Sequence, residues 1–180
     1  MSDANAAFRK LLEYEQRSQA LDADEGDGAL RSGEWAGVVF RIGQTRLACG
    51  VSKVGEFLPV PNLTRVPGTK PWILGLANLR GELLTVVDLS WFLSDERTPI
   101  TVRTRVLAAT LRGRPVGLLV DEVFGRRHFV QRDARDPDLP EGSPLAPYVS
   151  QQYRSGKDSW HELDLDRLFG SVAFLNGAAA

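Results

Sequence analysis

The reading turns on residues 72–88, WILGLANLRGELLTVVD. Two apolar runs, 72–79 and 83–89, flank a polar break at 80–82 that contains Gly81, a residue able to take positive φ without steric cost. Short runs rich in leucine and valine around such a break predict two strands joined by a tight turn. Within the first run, Gly75 gives up packing, and a glycine inside a strand marks a bulge, a bend or the close approach of another backbone. Arg80 stands at the turn, where its planar fork suits carboxylate or carbonyl partners; a merely solvated turn arginine would give the same sequence.

Outward from this segment the texture repeats. Apolar runs at 35–41 and 46–51 flank IGQT, where Gly43 signals a hairpin, and further runs lie at 57–60, 102–111, 116–121 and 123–130. The segments VPGTKP (66–71) and RGRP (112–115) read as a loop and a turn. The fold class is mainly β. In 102–111, Arg103 and Arg105 fall on one face and Val102, Thr104, Val106 and Ala108 on the other, as in a half-solvated strand. The stretches LLTVVDL (83–89) and VGLLVDEV (116–123) echo each other through Val-Asp, which fits either two related β-subdomains or two strand ends.

Toward the C-terminus, residues 133–147 hold four of the ten prolines and read as an exposed connection. Trp160, Leu163 and Leu165 alternate with polar residues as a last strand, 166–169 closes as a helical turn before Gly170, and residues 176–180 form a frayed tail. At the other end, Phe8, Leu11 and Leu12 recur at helical spacing, and a Gly- and Asp-rich linker runs to Gly33. Residues 1–33 are thus an amphipathic helix, docked on the body or on a partner, and its linker; residues 34–175 are the folded domain.

Composition restricts the function. The 180 residues are 43% hydrophobic and 25% charged, enough for one domain with a core, and a formal net charge of -1 gives no global attraction to nucleic acid or anionic lipid. The charge is uneven. Eight arginines against Asp121 and Glu122 lie between Arg97 and Arg132, whereas the first thirty residues carry seven acids against three bases. A nucleic-acid platform would interleave aromatic residues with those arginines, and only Phe124 and Phe129 are near. A single cysteine, Cys49, in an apolar stretch, and no apolar run approaching the ~20 residues of a membrane span, lead us to expect a cytoplasmic protein.

Catalytic constellations do not emerge. Cys49 with His128 or His161 would need distant segments joined, and two histidines without HxxH or CxxC make a poor zinc set. Asp133, Asp136 and Asp138 read as a solvated loop, and the glycines form neither GxGxxG nor a P-loop. The expectation is a non-enzymatic interaction protein that takes no cofactor and no metal.

At residues 75–88, GLANLRGELLTVVD, the chain resembles the Gly-x-x-Asn-x-Arg-Gly signature, followed by two hydrophobic residues and Asp, of CheW-like domains. Val54-Gly55-Glu56 is similar to the family's Val-x-Glu, and Arg105-Val106 with 116–123 to its second-half strands, so the resemblance covers 35–169. LLEYEQRS near the N-terminus, GTKPW (68–72) and ANLRG (77–81) look closer to the twitching-motility branch serving type IV pili than to the flagellar one. The resemblance implies two small five-stranded SH3-like β-barrels and a cytoplasmic scaffold, recruited to receptor arrays, between a methyl-accepting chemotaxis receptor and the regulatory domain of a CheA-type histidine kinase. It assigns Val54, Glu56 and Arg80 to receptor contact, Gly75 to a position where a side chain interferes with coupling, and Asn78 and Gly81 to shaping the turn that aims Arg80. Asp88 is expected as a structural strand end. The alternatives are an adaptor of another chemosensory pathway or a solitary adaptor for a response regulator.

Overall fold

A computed structural model describes residues 33–178. The helix and linker expected before Gly33 lie outside the described residues.

Eleven strands occur among them: β1 (Glu34–Ile42), β2 (Thr45–Gly50), β3 (Val54–Pro59), β4 (Ile73–Leu79), β5 (Glu82–Asp88), β6 (Arg105–Leu111), β7 (Arg114–Val120), β8 (Glu122–Val130), β9 (Ala134–Arg135), β10 (Val149–Ser155) and β11 (Asp158–Leu163). Three short α-helices occur among the described residues: α1 (Leu89–Ser94) between β5 and β6, and α2 (Leu165–Gly170) and α3 (Val172–Ala178) after β11. The strands form a five-stranded sheet, β3-β6-β7-β5-β4, and a six-stranded sheet, β8-β1-β2-β11-β10-β9. The fold is mainly β, and the sixth strand is the two-residue β9.

The two sheets share one pattern. In each, two hairpins, β6–β7 with β4–β5 and β1–β2 with β10–β11, meet through a parallel pair, β5 with β7 and β11 with β2. Each also adds an outer antiparallel strand, β3 or β8, and a strap that follows it. Thr64 exchanges two 2.8 Å backbone hydrogen bonds with Leu76 of β4, and β9 pairs with Gln152 and Tyr153 of β10. These straps carry the chain from one sheet edge to the other and close the curl into a barrel. The first barrel is continuous, β3 to β7; the second runs β8 to β11 and is completed by β1 and β2. One barrel is a circular permutation of the other.

Of the two readings of the Val-Asp echo, the strand-end one holds: residues 83–88 lie in β5 and 116–120 in β7, neighbours in one sheet, and each run stops at its aspartate. The counterparts across the two barrels are VDLSWFL (87–93) and LDLDRLF (163–169), where an aspartate at the strand's end caps the helix that follows.

Burial follows from having two barrels. Val106, Ala108 and Leu119 point into the first barrel, Val39, Ala48, Phe129, Tyr153 and Trp160 into the second. The alternate residues Val38, Phe40, Leu47, Cys49, Leu107 and Leu118 fill a third, larger cluster between them. Strands buried on both faces read as continuous apolar runs. Each fully buried leucine contributes roughly 2–3 kcal/mol.

Two local expectations change, and a strand forms where none was expected. β6 begins at Arg105, and Val102 is 90% exposed, because Thr104 Oγ1 accepts from Thr101 N at 2.8 Å and donates to Pro99 O at 2.9 Å, holding 101–104 as a turn. Arg103 and Arg105 therefore do not share a strand face. Residues 149–155, VSQQYRS, form β10 despite their polarity: Gln152 is buried, its Oε1 accepting from Ser159 Oγ at 3.1 Å. Residues 176–178, expected in a frayed tail, close α3, where Gly177 lies so near Trp72 that a Cβ would overlap the ring.

Candidate functional site

The site is built where the first barrel closes. On β3 the pairing with β6 slips between Val54 and Glu56: Val54 faces Ala109 and Glu56 faces Ala108, leaving Gly55 as the extra residue of a bulge. Without it, Val54 and Glu56 would share a face. With it, Val54 turns into the cluster between the barrels and Glu56 follows Leu58 on the other side. In this chain the Val-x-Glu spacing spans a bulge.

Arg80 and Gly81 are the two central residues of the β4–β5 hairpin, with φ of 52° and 91°. Two positive φ values match the turn to the twist of the strands, and Gly81 supplies one at no cost. Gly81 N donates to Asn78 Oδ1 at 2.9 Å, fixing the turn from the strand side. Arg80 Nη2 then reaches Glu56 Oε2 at 2.7 Å, although β3 and β4 are opposite edges of the flat sheet order. The Arg80 side chain remains 80% exposed. An ion pair this open adds only ~0–1 kcal/mol, so its consequence is orientation rather than stability.

The expected contact residues separate here. Glu56 and Arg80 come together at the surface, whereas Val54 is 4% exposed and packed in the core. Val54 offers no surface to a partner, and any effect it has on binding passes through the placement of Glu56. Gly75, at φ 145°, lies in a second register slip, and a Cβ there would stand 2.9 Å from the Thr64 carbonyl carbon. The strap needs that space to reach β4.

Asp88 is 2% exposed and ends β5. Its carboxylate accepts from Trp91 N at 3.2 Å, Thr98 N at 2.9 Å and Thr98 Oγ1 at 2.7 Å. It caps α1 and ties the loop before β6, with no face left for a partner. Asp164 does the same more openly, accepting from Arg167 N at 3.0 Å.

The groups considered for chemistry lie elsewhere. Cys49 is fully buried, and burial pushes its thiol up to about 12, far from a thiolate nucleophile. His161 is 8% exposed, with its ring nitrogens 3.4 Å from Arg46 O and 3.3 Å from Asp138 O; His128 is exposed on β8.

With this geometry in view, the CheW-like domain family matches residues 36–173. The chain belongs to the CheW-like family. Among curated relatives, this CheW-like chain is 36% identical over 149 residues to Protein PilI of Pseudomonas aeruginosa, covering 83% of this chain and 84% of that one. It is 36% identical over 100 residues to Protein FrzA of Myxococcus xanthus (56% and 62% covered) and 35% identical over 103 residues to the chemotaxis protein CheW of Rhizobium meliloti (57% and 66%). The solved scaffolding protein TtCheW of Thermoanaerobacter tengcongensis superposes with a TM-score of 0.68 over 77% of this chain and 94% of that one, at 21% identity, a likeness of fold. This CheW-like protein is a coupling or scaffold protein of chemosensory systems. No helix among the described residues is long and apolar enough to cross a membrane.

Proposed function

We propose that this chain couples a methyl-accepting chemotaxis receptor to the regulatory domain of a CheA-type histidine kinase, in the control of type IV pilus twitching motility, without catalysis of its own. It works in the cytoplasm, recruited to membrane receptor arrays. The observation that carries the reading is the Glu56–Arg80 pair: a guanidinium left 80% exposed on a turn whose shape is fixed by Asn78 and Gly81. A preset turn presents a contact residue with little ordering cost on binding. Likeness to PilI over most of both chains supports the pilus branch. Holding receptor and kinase at once raises their effective concentration, so each contact is free to be weak.

The test is a pull-down of receptor and kinase fragments by wild type and by Arg80→Glu. Loss of receptor capture with kinase capture intact and an unchanged melting curve is the expected result. Normal capture of both partners overturns the assignment of the contact.

A further inference from the structure

Asn176 and Gly177 lie side by side in the last turn of α3. Of the four asparagines, Asn5, Asn62, Asn78 and Asn176, only Asn176 is followed by glycine. The backbone nitrogen of the next residue can attack an asparagine side-chain amide, and a side chain on that residue hinders the approach. Gly177 has none. Packing demands this glycine, because Gly177 is buried so close to Trp72 that a Cβ would overlap the ring, while Asn176 stays exposed. The contact with Trp72 therefore leaves an unhindered amide nitrogen next to an asparagine open to water.

The helix keeps the two groups from reacting. Helical side chains tilt toward the N-terminus, away from the nitrogen that follows, and a helical N–H is engaged with the carbonyl four residues back. Yet α3 has little stability of its own, since its seven residues fall short of the ~12–15 that an isolated helix needs. Its start is fastened. Ser171 Oγ accepts from Phe174 N at 3.2 Å and Ser171 O from Leu175 N at 3.0 Å, and the Phe174 ring packs on Trp72, Phe92 and Phe169. The final turn is fastened by Gly177 on Trp72, so release of that contact frees the Asn176–Gly177 peptide without opening either barrel.

We propose that Asn176 is a deamidation site gated by the docking of Gly177 on Trp72. When the last turn opens, the Gly177 nitrogen attacks Asn176 Cγ. The N–Cγ bond forms, the Cγ–Nδ2 bond breaks, and ammonia leaves with the Gly177 amide proton. The five-membered imide then takes up one water, opening at Cγ to aspartate or at the backbone carbonyl to isoaspartate. Either product puts a carboxylate at the C-terminal end of α3, where the helix dipole opposes it. Isoaspartate also lengthens the main chain by a carbon, so Gly177 no longer returns to Trp72 in register and the undocking becomes permanent.

The experiment incubates the full 180-residue chain at mildly alkaline pH, native and in urea, and follows residue 176 by peptide mass spectrometry with the two product isomers separated by chromatography. Both products should appear at Asn176, at least about tenfold more slowly in the native chain than in urea, because the opened fraction sets the rate. Amide exchange at Gly177 reports the same opening, so its slowing should match that of deamidation within about threefold. Trp72→Ala should bring the native rate close to the urea rate while a melting curve shows the barrels still folded, and Asn176→Gln should remove the signal. If Trp72→Ala does not fold, the match between deamidation and exchange in wild type decides alone. No modification at Asn176, equal rates in native and urea-unfolded chain, Asn62 or Asn78 modified first, a folded Trp72→Ala that reacts no faster, or a slowing that follows exchange in β5 rather than α3 overturns the proposal.

Discussion

Gly75 and Thr64 meet backbone to backbone across the seam of the first barrel. Each of the two hydrogen bonds between Thr64 and Leu76 is 2.8 Å long, and they form only because no side chain on Gly75 occupies the space beside the Thr64 carbonyl. The glycine assigned to coupling is, in the fold, the residue that lets the barrel close and so brings Arg80 to Glu56.

Gly75→Ala is expected to cost about 3 kcal/mol, from a methyl pressed against the strap and a φ of 145° that alanine rarely adopts. Denaturant melts give the loss, and hydrogen exchange at Leu76 and Thr64 should rise with it. Unchanged stability together with lost receptor capture would instead make Gly75 a direct contact.

Reversing one charge of the surface pair separates contact from stability. Glu56→Arg and Arg80→Glu should each change stability by less than about 1 kcal/mol while weakening receptor capture. The double exchange rebuilds an ion pair but puts a carboxylate on the turn, so capture should stay weak. Restored capture would show that only the pairing matters.

Asp88 and Asp164 cap equivalent helices at unequal depth. Asp88→Asn places an amide where Thr98 N donates and should cost about 2–4 kcal/mol; Asp164→Asn, still an adequate cap, should cost below about 1 kcal/mol. Melting temperatures rank the two variants, and an equal effect would refute the buried role of Asp88.

Cys49 gives a pH dependence with a definite sign. A free thiol ionises near 9.0, and in the folded chain burial raises this to about 12. Between those values the unfolded chain has lost the proton and the folded one keeps it, so stability is full below pH 9 and falls as pH rises toward 12, by up to ~1.4 kcal/mol per unit. Cys49→Ala should flatten this part of the curve, read by urea melts at stepped pH. Tyr153, raised chiefly by burial, adds a fall of the same direction above pH 10 in wild type and variant alike. Ellman's reagent should react with Cys49 only after unfolding; rapid reaction of the native protein would contradict its burial.

Much of this protein was legible in residue order because the relevant physics is local. The hairpin around Arg80–Gly81, the strand texture and the end of β5 at Asp88 follow from turn chemistry and apolar runs confined to a few neighbours. The resemblance in 75–88 carried the family. β10 has no sequence signal because its polar residues are satisfied by a strand that follows in the chain, as Gln152 is by Ser159, and Val102 stands outside β6 because threonine side chains hold the backbone of its turn.

What tertiary structure alone decided are the meetings between distant residues: Glu56 with Arg80, Thr64 over Gly75, and Gly177 against Trp72. Whether Val54 faces a partner or the core depended on one extra residue in a strand pairing, and the second barrel on strands separated by the whole first barrel. Periodicity in a sequence says which residues share a face; only closure of the sheets says what that face touches.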